Sequence, residues 1–408
     1  MYLKKHRSLI SYTLYDAGNS NYATLISSIA FPIYFKTTVA RDMVIGDALW
    51  GAMILVSTII AAFMGPRIGE IADRRALRHT LLRWTTWLAI VGTAALYFLS
   101  SGQVALAVIL FLLTNTAFLL AVLLYDSLLV EVTSPKNAGM ISSIAWAVGY
   151  AGGLIGLLIA LTLRGDQSQN LRFSFLIGAL LFLIFSLPIT LNRSRTLHRE
   201  SNPIPGPEKQ SLTSIVRAFM KDKTRSRLFW AYFMYSNGIS AVIYFTSIYA
   251  MTSLGYTLER LLWLFVLMSL VAVPSVFIFG KLSVYLGHIT TLRIVVASWV
   301  LIIVAAAFAN ASNFAIVACI AASFLGPAQA LSRSLFRIVF PSQRMTSYFG
   351  VQALASRSSA LIGPIVFGVT SSATGSQRTG VLATVLLVIV GFLLLMGTTF
   401  DENGEHYE

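Results

Sequence analysis

Twelve runs of roughly twenty apolar residues divide the chain, and no soluble fold of this size has room for them. A bilayer core takes about 20 apolar residues per helix. The candidate spans fall near 9–35, 46–69, 79–99, 103–128, 139–163, 172–191, 226–252, 260–280, 289–309, 313–332, 347–370 and 379–399. A soluble domain must keep its exterior wetted and carries about 25% charged residues. Here 11% are charged and 56% hydrophobic. The chain therefore reads as an all-α, polytopic membrane protein, and most soluble enzyme classes fall away.

One connection is long. Residues 192–227 contain Pro203, Pro205, Gly206 and Pro207 and follow the sixth span. The expected organisation is a six-helix bundle over 1–191, a basic cytoplasmic linker over 192–227, a second six-helix bundle over 228–400, and an acidic tail over 401–408. The net charge of +14 sits in short basic blocks between apolar runs rather than in a nucleic-acid-binding stripe. With the N-terminus inside, 23 Lys and Arg fall on the inner side and six on the outer. That asymmetry obeys the positive-inside rule and puts both termini in the cytoplasm. The first apolar stretch is too long for a signal-peptide core, so it is read as an uncleaved span.

Catalytic and metal chemistry find no footing. The one cysteine, Cys319, lies in an apolar run, the five histidines are scattered, and neither HExxH nor GxxxxGK[ST] occurs. The reading has no metal, no cofactor, no enzyme activity, no ATP drive and no nucleic-acid partner; a small-molecule substrate, membrane lipid and a monomeric state are expected.

Span one is polar for a helix in lipid. Tyr12, Tyr15, Asp16, Asn19 and Tyr22 follow i, i+3, i+4, i+7 spacing and share a face. Such a stripe faces either a solute cavity or hydrogen-bonding neighbour helices. Span seven echoes it: Met234-Tyr235-Ser236-Asn237-Gly238 parallels Leu14-Tyr15-Asp16-Ala17-Gly18. Two six-helix halves in a parallel repeat describe the major facilitator architecture. The loop after span two, Gly69-x-x-x-Asp73-Arg74-x-x-x-Arg78, matches that superfamily's loop signature in part, with Ala76 and Leu77 standing where glycine and arginine are expected. Asp126 and Glu131, ending span four, are candidate partners for Arg74 or Arg78 in a cytoplasmic gate; a solvated helix end is the other reading of Asp126. Arg357 lies about 15 Å into span eleven, either in a functional site or in a structural ion pair. Gly149, Gly152, Gly153 and Gly156 give GxxxG pairs that let helices approach closely.

Four blocks carry a family likeness: Leu14-Tyr15-Asp16-x-x-Asn19-Ser20 with Phe31-Pro32-Ile33-Tyr34-Phe35; Gly69-x-x-Ala72-Asp73-Arg74; Gly149-Tyr150-Ala151-Gly152-Gly153; and Gln329-Ala330-Leu331-Ser332-Arg333-Ser334, followed by Phe349-Gly350 and Gly363-Pro364. On these the chain resembles the unknown-major-facilitator family, which includes autophagy-related vacuolar permeases of fungi. Ala17 and Arg357 depart from the tryptophan and lysine of that pattern. The resemblance implies amino-acid efflux by alternating access, and the compact chain suggests a relative in a bacterial inner membrane. The expected binding set is Tyr15, Asp16, Asn19 and Tyr22 from one half with Tyr235, Asn237, Gln329 and Arg357 from the other, Asp16 taking a coupling proton or a substrate ammonium. Export of a drug, siderophore or peptide, or a non-transporting sensor or lipid-handling role, are the alternatives.

Overall fold

A segment in hydrocarbon must satisfy its own backbone N–H and C=O groups, so the apolar runs become helices. The computed structural model describes residues 2–41, 46–162, 167–191, 212–252 and 254–398. Span one is α1 (Tyr2–Asn21), a π-wound stretch (Tyr22–Ala30), the single-turn α2 (Phe31–Tyr34) and a second π-wound stretch (Phe35–Val39). Spans two to six are α3 (Gly46–Arg74), α4 (Arg78–Ala95), α5 (Val104–Ser127) with the turn α6 (Leu129–Val132), α7 (Ala138–Thr162) and α8 (Gln167–Thr190). A short α9 (Leu212–Lys221) precedes the second set. That set is α10 (Lys223–Thr252), α11 (Leu258–Leu286), α12 (His288–Ala307), α13 (Phe314–Val339), α14 (Met345–Thr374) and α15 (Gln377–Met396). Among the described residues, nine helices are long and apolar enough to cross a membrane. The expected tail at 401–408 and the 192–211 part of the linker lie outside the described residues.

The chain divides into two compact units. Unit one comprises Met1–Val132, Val148–Gly206 and Ser342–Gly350; unit two comprises Thr133–Ala147, Pro207–Pro341 and Val351–Glu408. The beginning of α7 thus belongs to unit two, and the beginning of α14 to unit one.

Unit one is built on an aromatic ladder. Phe111, Phe118 and Tyr125 recur every seven residues on α5, which keeps them on one seam. Phe31 stacks on Phe111 with ring centroids 4.5 Å apart, Tyr22 lies 4.2 Å from Phe118, and Tyr12 and Tyr15 lie 4.4 and 4.8 Å from Tyr125. The π winding explains the register. Each i→i+5 turn takes about one residue more than an α turn, so over two turns Phe31, and not residue 29, returns to the face of Tyr22.

Two helix ends show how local chemistry sets the connections. Ala76 follows α3 with φ +52°, and the amide of Leu77 bonds back to the Ala72 carbonyl at 2.9 Å. This left-handed cap normally takes glycine, which accounts for the glycine expected at this place in the loop signature. Gly375 does the same after α14 with φ +66°, the Ser376 amide bonding to Ser371.

Candidate functional site

The polar stripe of span one divides between packing and buried polar groups. The Tyr15 hydroxyl pairs with Thr86 Oγ1 on α4 at 2.6 Å, and its ring leans on Tyr125. Tyr15 therefore ties three helices of its own unit together. Asp16 is buried at 8% exposure, in the crossing of α1 with α7. A Cβ added at Gly149 would lie 3.5 Å from the Asp16 carboxyl carbon. Asn19 and Tyr22 are buried too, and neither Asn19 Oδ1 nor the Tyr22 hydroxyl has a hydrogen-bond partner among the described residues. Buried polar atoms without partners are rare in folded proteins, and each asks for an explanation.

The glycine row of α7 has the packing role expected of it. A Cβ at Gly152 would stand 2.6 Å from the Ala17 Cα, so only glycine admits this approach of α7 to α1. Unit two repeats the arrangement at the matching positions. A Cβ at Gly363 of α14 would stand 3.2 Å from the Asn237 carbonyl carbon of α10. The parallel between Ala17 and Asn237 read from the sequence repeat thus reappears as the same helix crossing inside each unit.

Asn237 is committed at both ends of its amide. Its Nδ2 donates to the Phe233 carbonyl at 2.6 Å, and its Oδ1 accepts from the Gly363 amide at 3.2 Å. The Tyr235 hydroxyl pairs with Ser332 Oγ on α13 at 2.6 Å. Gln329 is half-buried, one turn before Ser332. Arg357 lies within α14, and its side chain falls outside the described residues.

The expected gate residues build a helix cap. Asp73, the last residue but one of α3, is 2% exposed. Its Oδ1 accepts from the Thr346 amide at 3.1 Å, and its Oδ2 accepts from the Ser347 amide and hydroxyl, both at 2.7 Å. The first amides of a helix have no partner within it and carry the positive end of its dipole, so a carboxylate fits there on both counts. Arg78 Nε and Nη2 hold the same carboxylate at 2.9 Å, and Nη2 also donates to the Ser342 carbonyl at 2.8 Å. Gly69 makes room: a Cβ there would stand 2.8 Å from the Ser347 Cα.

The remaining gate charges make further pairs among the described residues. Arg74 pairs with Glu70 one turn back at 2.9 Å. Glu131 pairs with His79 at 2.8 Å rather than with Arg78, because Arg78 is turned back onto Asp73 while His79, next along α4, faces α6. Asp126 is half-buried, directly after the Tyr125 whose ring lies against Tyr15.

Unit two holds a second group of basic side chains, one of which, Arg333, stands in the fourth family block of the sequence. Arg333 on α13 grips Ser142, with Nε to the hydroxyl at 2.9 Å and Nη2 to the carbonyl at 3.0 Å. Four residues on, Arg337 grips Thr133, with Nε to the hydroxyl at 3.1 Å and Nη2 to the carbonyl at 3.2 Å. Each guanidinium uses its planar fork to hold both oxygens of one residue, which a lysine could not do. Ser142 Oγ in turn donates to the Ala330 carbonyl at 2.8 Å, and His288 Nε2 lies 3.1 Å from the Pro135 carbonyl. The i, i+4 spacing of Arg333 and Arg337 beside Ser332 and Ser334 was the signal available in the sequence.

Comparison with known proteins places this geometry. The family described as "Vacuole effluxer Atg22 like" matches residues 130–405. A curated relative, the "Uncharacterized MFS-type transporter YxiO" of Bacillus subtilis (strain 168), is 27% identical over 399 residues, 94% of this chain and 93% of that one. An uncharacterized protein of Aquifex aeolicus (strain VF5) is 30% identical over 188 residues, 45% of each chain. Among solved structures, the transporter FucP in its outward conformation aligns with TM-score 0.78 at 13% identity, over 98% of this chain and 99% of that one. A bacterial homologue of the iron transporter ferroportin, in an outward-facing state, aligns with TM-score 0.75 at 15% identity, over 96% and 98%. At such identities the structures speak for the fold alone. The chain is a multi-pass membrane transporter with the major facilitator fold, and it belongs to the Vacuole effluxer Atg22-like family.

Proposed function

We propose that this transporter exports a small amino acid by alternating access, driven by protons entering the cell. The observation that carries the reading is Asp16, a buried carboxylate on span one with the orphaned Asn19 Oδ1 and Tyr22 hydroxyl on the same helical face. A carboxylate about two turns into a membrane span is costly in hydrocarbon, which makes it a functional-site candidate. Asp16 takes the coupling proton or the substrate ammonium. Asn19, Tyr22 and Gln329 supply neutral hydrogen-bonding groups, and Arg357 takes the substrate carboxylate. Tyr15, Tyr235 and Asn237 support the site through their helices rather than by touching solute. Gly69, Asp73, Arg74 and Arg78 form the cytoplasmic gate with the start of α14, Asp126 and Glu131 lying at its edge.

The basic end of the helices faces the cytoplasm, with both termini, and the protein works as a monomer in a bacterial inner membrane. The match to a family named for vacuolar efflux supports solute transport as the activity. The test is a proteoliposome screen of the twenty amino acids with and without an imposed pH gradient. Gradient-dependent movement of one or more is expected. No movement of any, with drug-like cations moving instead, overturns the cargo.

A further inference from the structure

We propose that the end of unit two near α9 carries a binding face for anionic phospholipid headgroups, made by Arg217, Lys221, Lys223 and Arg227 above Trp230. The argument begins with α9. Its sequence puts Val216, Phe219 and Met220 on one face and Arg217 and Lys221 on the other. Phe219 is fully buried, its ring 5.7 Å from Phe229 on α10 and 5.5 Å from Phe340 after α13. Phe219 thus docks α9 on its own unit, with Val216 and Met220 half-buried, and the helix presents its basic face outward. Arg217 and Lys221 are both exposed.

The stripe continues along α10. Lys223, Arg227 and Trp230 follow i, i+4, i+7 spacing and are all exposed. Trp230, at 43% exposure, has the character of the aromatic belt that marks the boundary of hydrocarbon and headgroups. Lys223 lies seven residues before it, about 10 Å along the helix axis, at the height of the headgroup phosphates.

Among the described residues, the basic groups are positioned and not neutralised. Asp222, the carboxylate between Lys221 and Lys223, is occupied by Arg225, accepting from its amide at 2.8 Å and lying 3.4 Å from its Nη1. Among the described residues no carboxylate pairs with Arg217, Lys221 or Lys223. One guanidinium nitrogen of Arg227 donates to the Gly397 carbonyl, which steadies the group and leaves its other N–H donors for a phosphate. Four cations over an interfacial tryptophan fit a lipid phosphate, held by charge at the membrane surface. Occupancy would also bear on α13, because Phe219 abuts Phe340 and Arg225 Nε donates to the Val339 carbonyl at 3.2 Å.

The test is a titration of the purified full-length protein in detergent with phosphatidylglycerol or phosphatidylcholine, bound lipids being counted by native mass spectrometry. Arg217→Gln/Lys221→Gln/Lys223→Gln is compared with the charge-keeping Arg217→Lys/Lys221→Arg/Lys223→Arg. Phosphatidylglycerol should bind the parent more tightly than phosphatidylcholine, and each charge removed should weaken it about fivefold. The charge-keeping variant should bind like the parent, and inorganic phosphate should not displace the lipid. Equal binding of both lipids, an unweakened glutamine variant, a weakened charge-keeping variant, or displacement by inorganic phosphate would each overturn the proposal.

Discussion

A single oxygen of Asp73 receives both the backbone amide and the side-chain hydroxyl of Ser347, each at 2.7 Å, although 274 residues separate the two. The acid acts as a remote N-cap for α14, a role normally filled by the residue just before a helix. Its charge is balanced by Arg78, which also holds the Ser342 carbonyl before the helix. Asp73 and Arg78 thus bind the start of α14 as one buried unit.

Asp73→Asn should damage this cap more than the loss of one hydrogen bond implies. The variant leaves Arg78 buried without its counter-charge, and breaking a buried pair costs about 3–5 kcal/mol. In a Cys319→Ser background, Thr346→Cys should be nearly unreactive to maleimide while Asp73 is present, and readily labelled once Asp73→Asn is added. Equal labelling would show that the cap does not hold α14.

Close helix crossings give a second, graded prediction. Alanine at Gly152 or Gly363 drives a methyl group into backbone and should cost roughly 1–3 kcal/mol. Alanine at Gly51 or Gly368, where nothing lies within 4 Å, should be neutral or slightly stabilising. Thermal melting in detergent separates the two pairs; equal shifts would refute the crossings.

Ala76→Gly should stabilise the protein by about 1 kcal/mol. Alanine is strained in its left-handed conformation after α3, whereas glycine adopts it freely. A melting temperature unchanged or lowered would place Ala76 in an ordinary conformation.

Arg333→Lys keeps the charge but loses the two-point grip on Ser142. Hydrogen bonds to charged groups are worth about 1.5–3 kcal/mol, so the variant should melt below the parent in detergent. A melting temperature matching the parent would mean that charge alone matters at this position.

The helices were legible because every span must cross the same bilayer, although α11 and α13 run six and seven residues past the ends of their apolar runs. Helix α9 was not, since a short amphipathic stretch resembles any basic linker until Phe219 is seen docked on Phe229 and Phe340. Periodicity showed that Tyr15, Asp16, Asn19 and Tyr22 share a face, but not what the face meets. Tyr15 meets Thr86 and Tyr125, while Asn19 and Tyr22 keep buried polar atoms without partners among the described residues. The same limit applied to the charges. Arg78 lies close in sequence to Asp73, yet the helix start they share is far along the chain, 264 residues from Arg78 and 273 from Asp73, and no local pattern connects them.

Asp16 is the residue on which the account of transport stands. The decisive measurement is accumulation of a transported amino acid in proteoliposomes under an imposed pH gradient, with the parent and Asp16→Asn normalised to inserted protein. The account predicts that Asp16→Asn fails to accumulate substrate beyond equilibrium while still exchanging labelled for unlabelled amino acid across the membrane. Gradient-driven accumulation by Asp16→Asn equal to that of the parent would contradict it, and Asp16 would then be a structural carboxylate between α1 and α7.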